Sequence, residues 1–301
     1  MNKGILYAFG AYIIWGLLPL FWKILDDVPA FQILCHRISW SLVFLLVIQV
    51  IKKNFNWLRD AFKNRRIVIT FLTTSMLLSV NWFTYIWAVN NDRTIEASLG
   101  YFINPLLCVI LGGFFLRERP DKLSWIAILL AIIGIIYTII LHGTVPWIAL
   151  ALAGSFSVYG LLRKQAALNS LQGLTFETLL LFFPATAMLI YFEVKGIGSF
   201  GHLAFSKNVY LSLAGIVTSI PLLLFASAAR RIELTTLGIL QYIAPTMQFL
   251  IGLLIFKEEF SRNSFIGFSF VWLALIIYTA NNLIKRNRKG DSRVTQREEN
   301  A

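Results

Sequence analysis

Ser98-Leu99-Gly100, Pro105, Gly112 and Arg117-Glu118 return about 140 residues later as Thr236-Leu237-Gly238, Pro245, Gly252 and Lys257-Glu258. Upstream of them, Gly10 with Trp15-Gly16-Leu17-Leu18 returns as Gly154 with Tyr159-Gly160-Leu161-Leu162. The second half of the chain therefore rewrites the first. Apolar runs cut each half into five segments, an odd number, so the halves are expected to lie upside down relative to each other in a bilayer. Such inverted repeats suit secondary transport, because mirrored halves supply two oppositely open states of similar energy.

Composition sets the same frame. Of 301 residues, 57% are hydrophobic and only 14% charged, and the mean hydropathy is +0.71. Soluble domains carry about a quarter charged residues, so this is a membrane composition. A helix needs about 20 apolar residues to cross the hydrocarbon layer, whereas a barrel strand needs about 10 that alternate. The runs at 4–23, 31–51, 67–89, 97–116, 123–141, 146–162, 174–192, 209–229, 235–256 and 264–284 have the helical length. The expectation is an all-α integral membrane protein of ten transmembrane helices, arranged as two inverted five-helix repeats. Residues 1–143 form the first repeat, 144–284 the second, and the polar stretch 285–301 a disordered cytoplasmic tail.

Lysine and arginine between the spans give the orientation. One set of connections, with the N-terminus and tail, holds 20 of them, and the other set holds 6. Both termini are therefore expected in the cytoplasm, and the formal charge of +12 is an orientation device rather than a nucleic-acid surface. No nucleotide-binding G-x-x-x-x-G-K-[ST] occurs, which argues against an ATP-driven pump in this chain alone. Cys35 and Cys108 lie in apolar segments and read as packing residues, so neither a metal nor a cofactor is expected.

Ionisable groups inside spans are functional candidates because each is costly in lipid unless paired or hydrated. Aligning Gln32 with Gln172 sets Arg37 and Glu177 at equivalent repeat positions. We expect them at the two mouths of a shared cavity, tuning charge and gating; the alternative for Glu177 is that it reaches headgroup water. His36 is either a proton-linked group or a packed histidine. Asn104-Pro105 and Ala244-Pro245 mark matching helix breaks, and proline frees a backbone carbonyl that lipid tolerates only beside protein or water. Tyr101 and Asn104 in one half, and Gln241, Tyr242 and Gln248 in the other, surround them; Tyr101, Asn104, Gln241 and Tyr242, with Asn81 and Tyr85, are the expected substrate-binding residues. In the third span Asn81 and Tyr85 share a face at i, i+4, facing either cargo or a neighbouring helix.

Longer strings carry a resemblance. Asn81-Trp82, Tyr85-Ile86-Trp87-Ala88-Val89-Asn90 and Glu96-Ala97-Ser98-Leu99-Gly100-Tyr101-Phe102-Ile103-Asn104-Pro105-Leu106 resemble the signature of the RarD group of EamA-type transporters, in the drug/metabolite transporter superfamily. His36-Arg37, Tyr159-Gly160-Leu161-Leu162-Arg163-Lys164, Glu177-Thr178 and Gln241-Tyr242-Ile243-Ala244-Pro245-Thr246 extend the likeness over most of the chain. The resemblance implies a ten-helix, two-repeat fold in the bacterial inner membrane and export of small organic solutes, including amino-acid-like ones. Where the family often carries a carboxylate this chain has Gln32, which leaves Glu177 as the main embedded candidate for proton coupling. The expected partners are a small-molecule substrate, membrane lipids and, as a candidate coupling ion, protons; the oligomeric state stays open. A membrane-embedded scaffold or sensor, or an enzyme, is the alternative, but no clustered nucleophile, base or metal set supports the enzyme.

Overall fold

The computed structural model describes residues 3–53, 55–115, 120–142, 145–229, 231–232 and 240–298. Arg117-Glu118 and Thr236-Leu237-Gly238 of the repeat, and the expected boundary at 143 and 144, lie outside the described residues. Among the described residues all regular structure is helical: α1 Lys3–Lys23, α2 Ala30–Ile51, α3 Asn56–Lys63, α4 Arg65–Asn90, α5 Thr94–Phe115, α6 Lys122–His142, α7 Trp147–Lys164, α8 Ser170–Val194, α9 Phe205–Ala229, α10 Ile243–Leu250 and α11 Arg262–Glu298. A π-helical turn, Ile251–Ile255, prolongs α10.

Eight of these helices (α1, α2, α4, α5, α6, α8, α9 and the first part of α11) are long and apolar enough to cross a membrane. Trp147–Arg163 in α7 and Ile243–Ile255 are shorter apolar helices. Each of the ten segments marked in the sequence falls on one of these ten. Polar caps start several of the helices. Asn64 accepts from the amides of Arg66 and Ile67 at 3.0 and 3.3 Å. Asn169 and Gln172 form a reciprocal capping box at the start of α8, which satisfies donors that have no partner within the helix.

Two features were not legible as spans. Within the basic stretch 52–66, Asn56–Lys63 form the short helix α3, which rests on Phe176 through Trp57 and Phe62. The last helix runs past its apolar part to Glu298, through the stretch whose polarity suggested a disordered tail; its Arg, Lys, Gln and Glu are residues of good helix propensity.

Packing sorts the helices into neighbours. α6 lies along α11, α5 along α7, α2 between α8 and α9, α1 between α9 and α10, and α4 on α7 and α8. Small residues allow the closest approaches, as in helix packing within lipid. A Cβ added at Gly134 would sit 2.7 Å from the carbonyl of Gly267, so α6 and α11 touch backbone to backbone. A Cβ at Gly215 of α9 would collide with the backbone of Trp40 and Ser41 on α2.

Many large apolar side chains face outward along the spans, among them Val47, Leu129, Phe183, Ile190 and Ile276, each more than half exposed. A soluble fold avoids an apolar belt of this extent. Polar residues lie inside instead: Gln32, Arg37, Gln49, Thr74, Asn81, Thr175, Glu177 and Gln248 are all at most 3% exposed. Apolar outside and polar inside is the arrangement of a multi-pass membrane protein.

Candidate functional site

A cavity of about 100 Å³ lies where α1, α2, α4, α5, α7, α9 and the start of α10 converge. Its polar lining comprises Arg37, Asn81, Tyr85, Tyr101, Asn104, Gln241 and Gln248, set among Tyr12, Trp15, Trp82 and Phe156. Seven of the residues that sequence analysis singled out (Arg37, Asn81, Tyr85, Tyr101, Asn104, Gln241 and Gln248) are thus brought together, although 137 positions separate Asn104 from Gln241. Pro245 is also at the wall.

The wall residues differ in what they still have to offer. Asn81 Nδ2 donates to the Leu152 carbonyl and to Ser155 Oγ, both at 3.1 Å. Its Oδ1 accepts from the Tyr101 hydroxyl at 3.2 Å. Asn104 Oδ1 accepts from Ser157 Oγ at 2.7 Å. Both amides therefore fasten α4 and α5 to α7. The Tyr85 hydroxyl and Gln248 Oε1, by contrast, are buried without a hydrogen-bond partner among the described residues.

Gln248 also exposes a device that sequence analysis missed. Pro19 lies inside α1 and lacks an N–H, so the carbonyl four residues earlier, on Trp15, loses its helical donor. Gln248 Nε2 supplies the replacement at 3.0 Å. An internal proline in the first span was the available signal.

The expected helix breaks take different forms. Pro105 sits inside α5, which continues through it, so there the chain is not interrupted. Pro245 is the third residue of α10 and lies in the first turn, where the missing donor has no intrahelical acceptor in any case. The interruption in that segment lies just before it, at Gln241 and Tyr242, which form a turn.

Arg37 is 3% exposed. Its guanidinium carbon lies 4.1 Å from the ring centre of Trp82 and 5.0 Å from that of Trp22. These indole faces attract the cation, but its Nε and Nη1 have no hydrogen-bond partner among the described residues. Glu177, fully buried, does not line the cavity. Its Oε1 accepts from Thr74 Oγ1 at 2.6 Å and faces Arg163 Nε at 3.8 Å, while Oε2 accepts from the Tyr159 hydroxyl at 3.4 Å. Arg163 fits because a side chain at Gly173 would occupy its place. A run of rings, Tyr159, Phe156 and Tyr101, connects this cluster to the cavity wall. His36 is buried beside Phe200 at 5.1 Å between ring centres. Tyr242 packs with the α5, α6 and α11 cluster around Phe249 rather than on the cavity.

One end of the bundle is fastened by polar contacts between connections. Gln32 donates to the Ile197 carbonyl at 2.8 Å and accepts from Ser199 N at 2.9 Å. Lys23 pairs with Asp92 at 2.7 Å, and Lys207 pairs with Asp27. Glu258 accepts from the first amides of α5, Thr94 N at 2.7 Å and Ile95 N at 2.8 Å. Glu96 accepts from Ile148 N at the start of α7 at 3.2 Å. A carboxylate at a helix start satisfies orphan donors and the positive end of the dipole.

Residues 2–140 match the EamA-like transporter family. "Uncharacterized transporter YojE" of Bacillus subtilis is 44% identical, the match covering 92% of this chain and 94% of the relative. "Protein RarD" of Streptomyces exfoliatus is 42% identical over 92% of this chain and 88% of its own length. One solved crystal structure, 19% identical, superposes with a TM-score of 0.61 over 93% of this chain and 99% of that one, and so shares its fold. With an apolar belt outside, a polar-lined cavity inside and relatives of this identity along nearly its whole length, the chain belongs to the EamA-like transporter family, in its RarD group.

Proposed function

We propose that the protein is a secondary transporter that exports small organic solutes across the bacterial inner membrane by alternating access to the central cavity. The observation that carries this reading is convergence: helices from both halves of the chain meet around one chamber with mixed aromatic and polar walls, the usual character of a small-molecule site. Arg37, Tyr85, Tyr101, Gln241 and Gln248 contact the cargo, and Asn81 and Asn104 hold the walls to α7. Glu177 and His36 act at a distance from it, and protons are the candidate coupling ion.

Helix neighbours support ten spans in two inverted repeats. Exchanging α1 with α7, α2 with α8, α4 with α9, α5 with α10 and α6 with α11 turns the α5–α7 contact into α10–α1. It turns α1–α9 into α7–α4 and α2–α9 into α8–α4, and leaves α2–α8 and α6–α11 in place; all of these pairs occur. The 20-to-6 distribution of Lys and Arg supports cytoplasmic termini. The fastened end is then the outer face, and opening there requires the Gln32, Lys23 and Lys207 contacts to part.

Single cysteines at positions 101, 104 and 241, in a chain without Cys35 and Cys108, test the mechanism. Labelling of the same position from either side of the membrane, in proportions that shift with added cargo, is the expected result. Access from one side alone under all conditions removes alternating access. The cargo itself emerges from comparing extracellular and intracellular metabolites with and without expression.

A further inference from the structure

Arg37 is a guanidinium at the wall of a cavity, and among the described residues no carboxylate pairs with it. An unpaired charge inside a membrane protein is costly unless a partner arrives. The described residues lining the chamber include no acidic side chain, and the nearest candidate by sequence logic, Glu177, is already occupied by Arg163, Thr74 and Tyr159. Trp22 and Trp82 attract the guanidinium through their ring faces. They cannot satisfy its N–H groups, which radiate in the plane of the fork. Among the described residues Nε and Nη1 are left without acceptors, and the Tyr85 hydroxyl on the same cavity wall is also unpartnered.

We infer that Arg37 is the anchor for an acidic group on the cargo, so that the transported class is small organic monoanions: one carboxylate attached to an apolar or aromatic body. This rests on the transport reading above and narrows it. A carboxylate matches a guanidinium in shape, in count of acceptors and in charge, one against one. A phosphate ester would bring a second negative charge, for which the cavity lining holds no second cation. The remaining wall suits the body of such a solute: Tyr12, Trp15, Leu18, Leu78, Phe156 and Leu222 present apolar and ring surface.

The experiment uses the full purified chain in detergent and in proteoliposomes, with 3-phenylpropanoate and its neutral amide as probes. Calorimetric titration is expected to give tighter binding of the acid by on the order of tenfold or more, the scale of one charge-assisted contact. Arg37→Gln erases the difference, and Arg37→Lys keeps part of it as a point charge without the fork. Circular dichroism and gel filtration establish that each variant is folded. If Arg37→Gln does not fold, the acid-to-amide ratio in the native chain and in Arg37→Lys decides.

Equal binding of acid and amide, absence of acid binding, or a preference that survives in folded Arg37→Gln overturns the inference. Failure of the transport reading looks different. Acid binding that depends on Arg37, without movement of the acid into vesicles, leaves the anion site standing and removes transport of this class. Movement of neutral solutes with no preference for the acid does the reverse.

Discussion

Arg37 and Glu177 each stand five residues after a glutamine, Gln32 and Gln172, and both are buried, yet their surroundings are opposite. Around Glu177 the fold has assembled a cation, a threonine hydroxyl and a phenol. Around Arg37 it has placed two indoles and an open chamber. The difference separates two uses of a charge in a membrane protein. Glu177 is closed chemistry that holds α4, α7 and α8 together. Arg37, in the proposal above, is completed only by a cargo.

Stability measurements can break this contrast. Glu177→Leu leaves Arg163 without its counter-ion, and we expect a loss of about 3–5 kcal/mol, the usual cost of removing one partner of a buried pair. It should show as the largest drop in detergent melting temperature among these variants. Thr74→Val deletes a 2.6 Å bond to the carboxylate and should cost about 1.5–3 kcal/mol. Tyr159→Phe removes a 3.4 Å contact, with an expected loss below about 1 kcal/mol; a larger loss would mean that the phenol, not the threonine, is the main support. Arg37→Met should move the melting temperature least, or upward, because an apolar chain replaces a buried charge that lacks a counter-ion, while removing the preference for the acid. A fall as large as that of Glu177→Leu would show that Arg37 is structural after all, and the comparison would be lost.

The sequence carried the helical architecture because hydrophobic length is a one-dimensional property, and the cavity members because a buried ionisable or amide group is conspicuous in an apolar run. What it did not carry were pairings. Arg163 reads as a connection charge beside Lys164, and only the fold brings it to Glu177 through the space left at Gly173. Trp22 and Trp82 lie 60 residues apart, and nothing in either neighbourhood marks them as platforms for Arg37. Asn81 and Asn104 stand out as polar, but whether an amide bonds cargo or a helix backbone depends on the facing serines, Ser155 and Ser157. Tyr242 shared a polar cluster with Gln241, yet the turn sends adjacent side chains to different places.

The contact between Gly134 and Gly267 has a practical consequence. α6 and α11 contribute no described residue to the central chamber, and their backbones meet without intervening side chains. If the bundle alternates in access as proposed, they are expected to behave as a stationary mast. A fluorophore placed on this pair would therefore serve as a fiducial mark, against which displacement of α1 or α9 could be timed in single molecules.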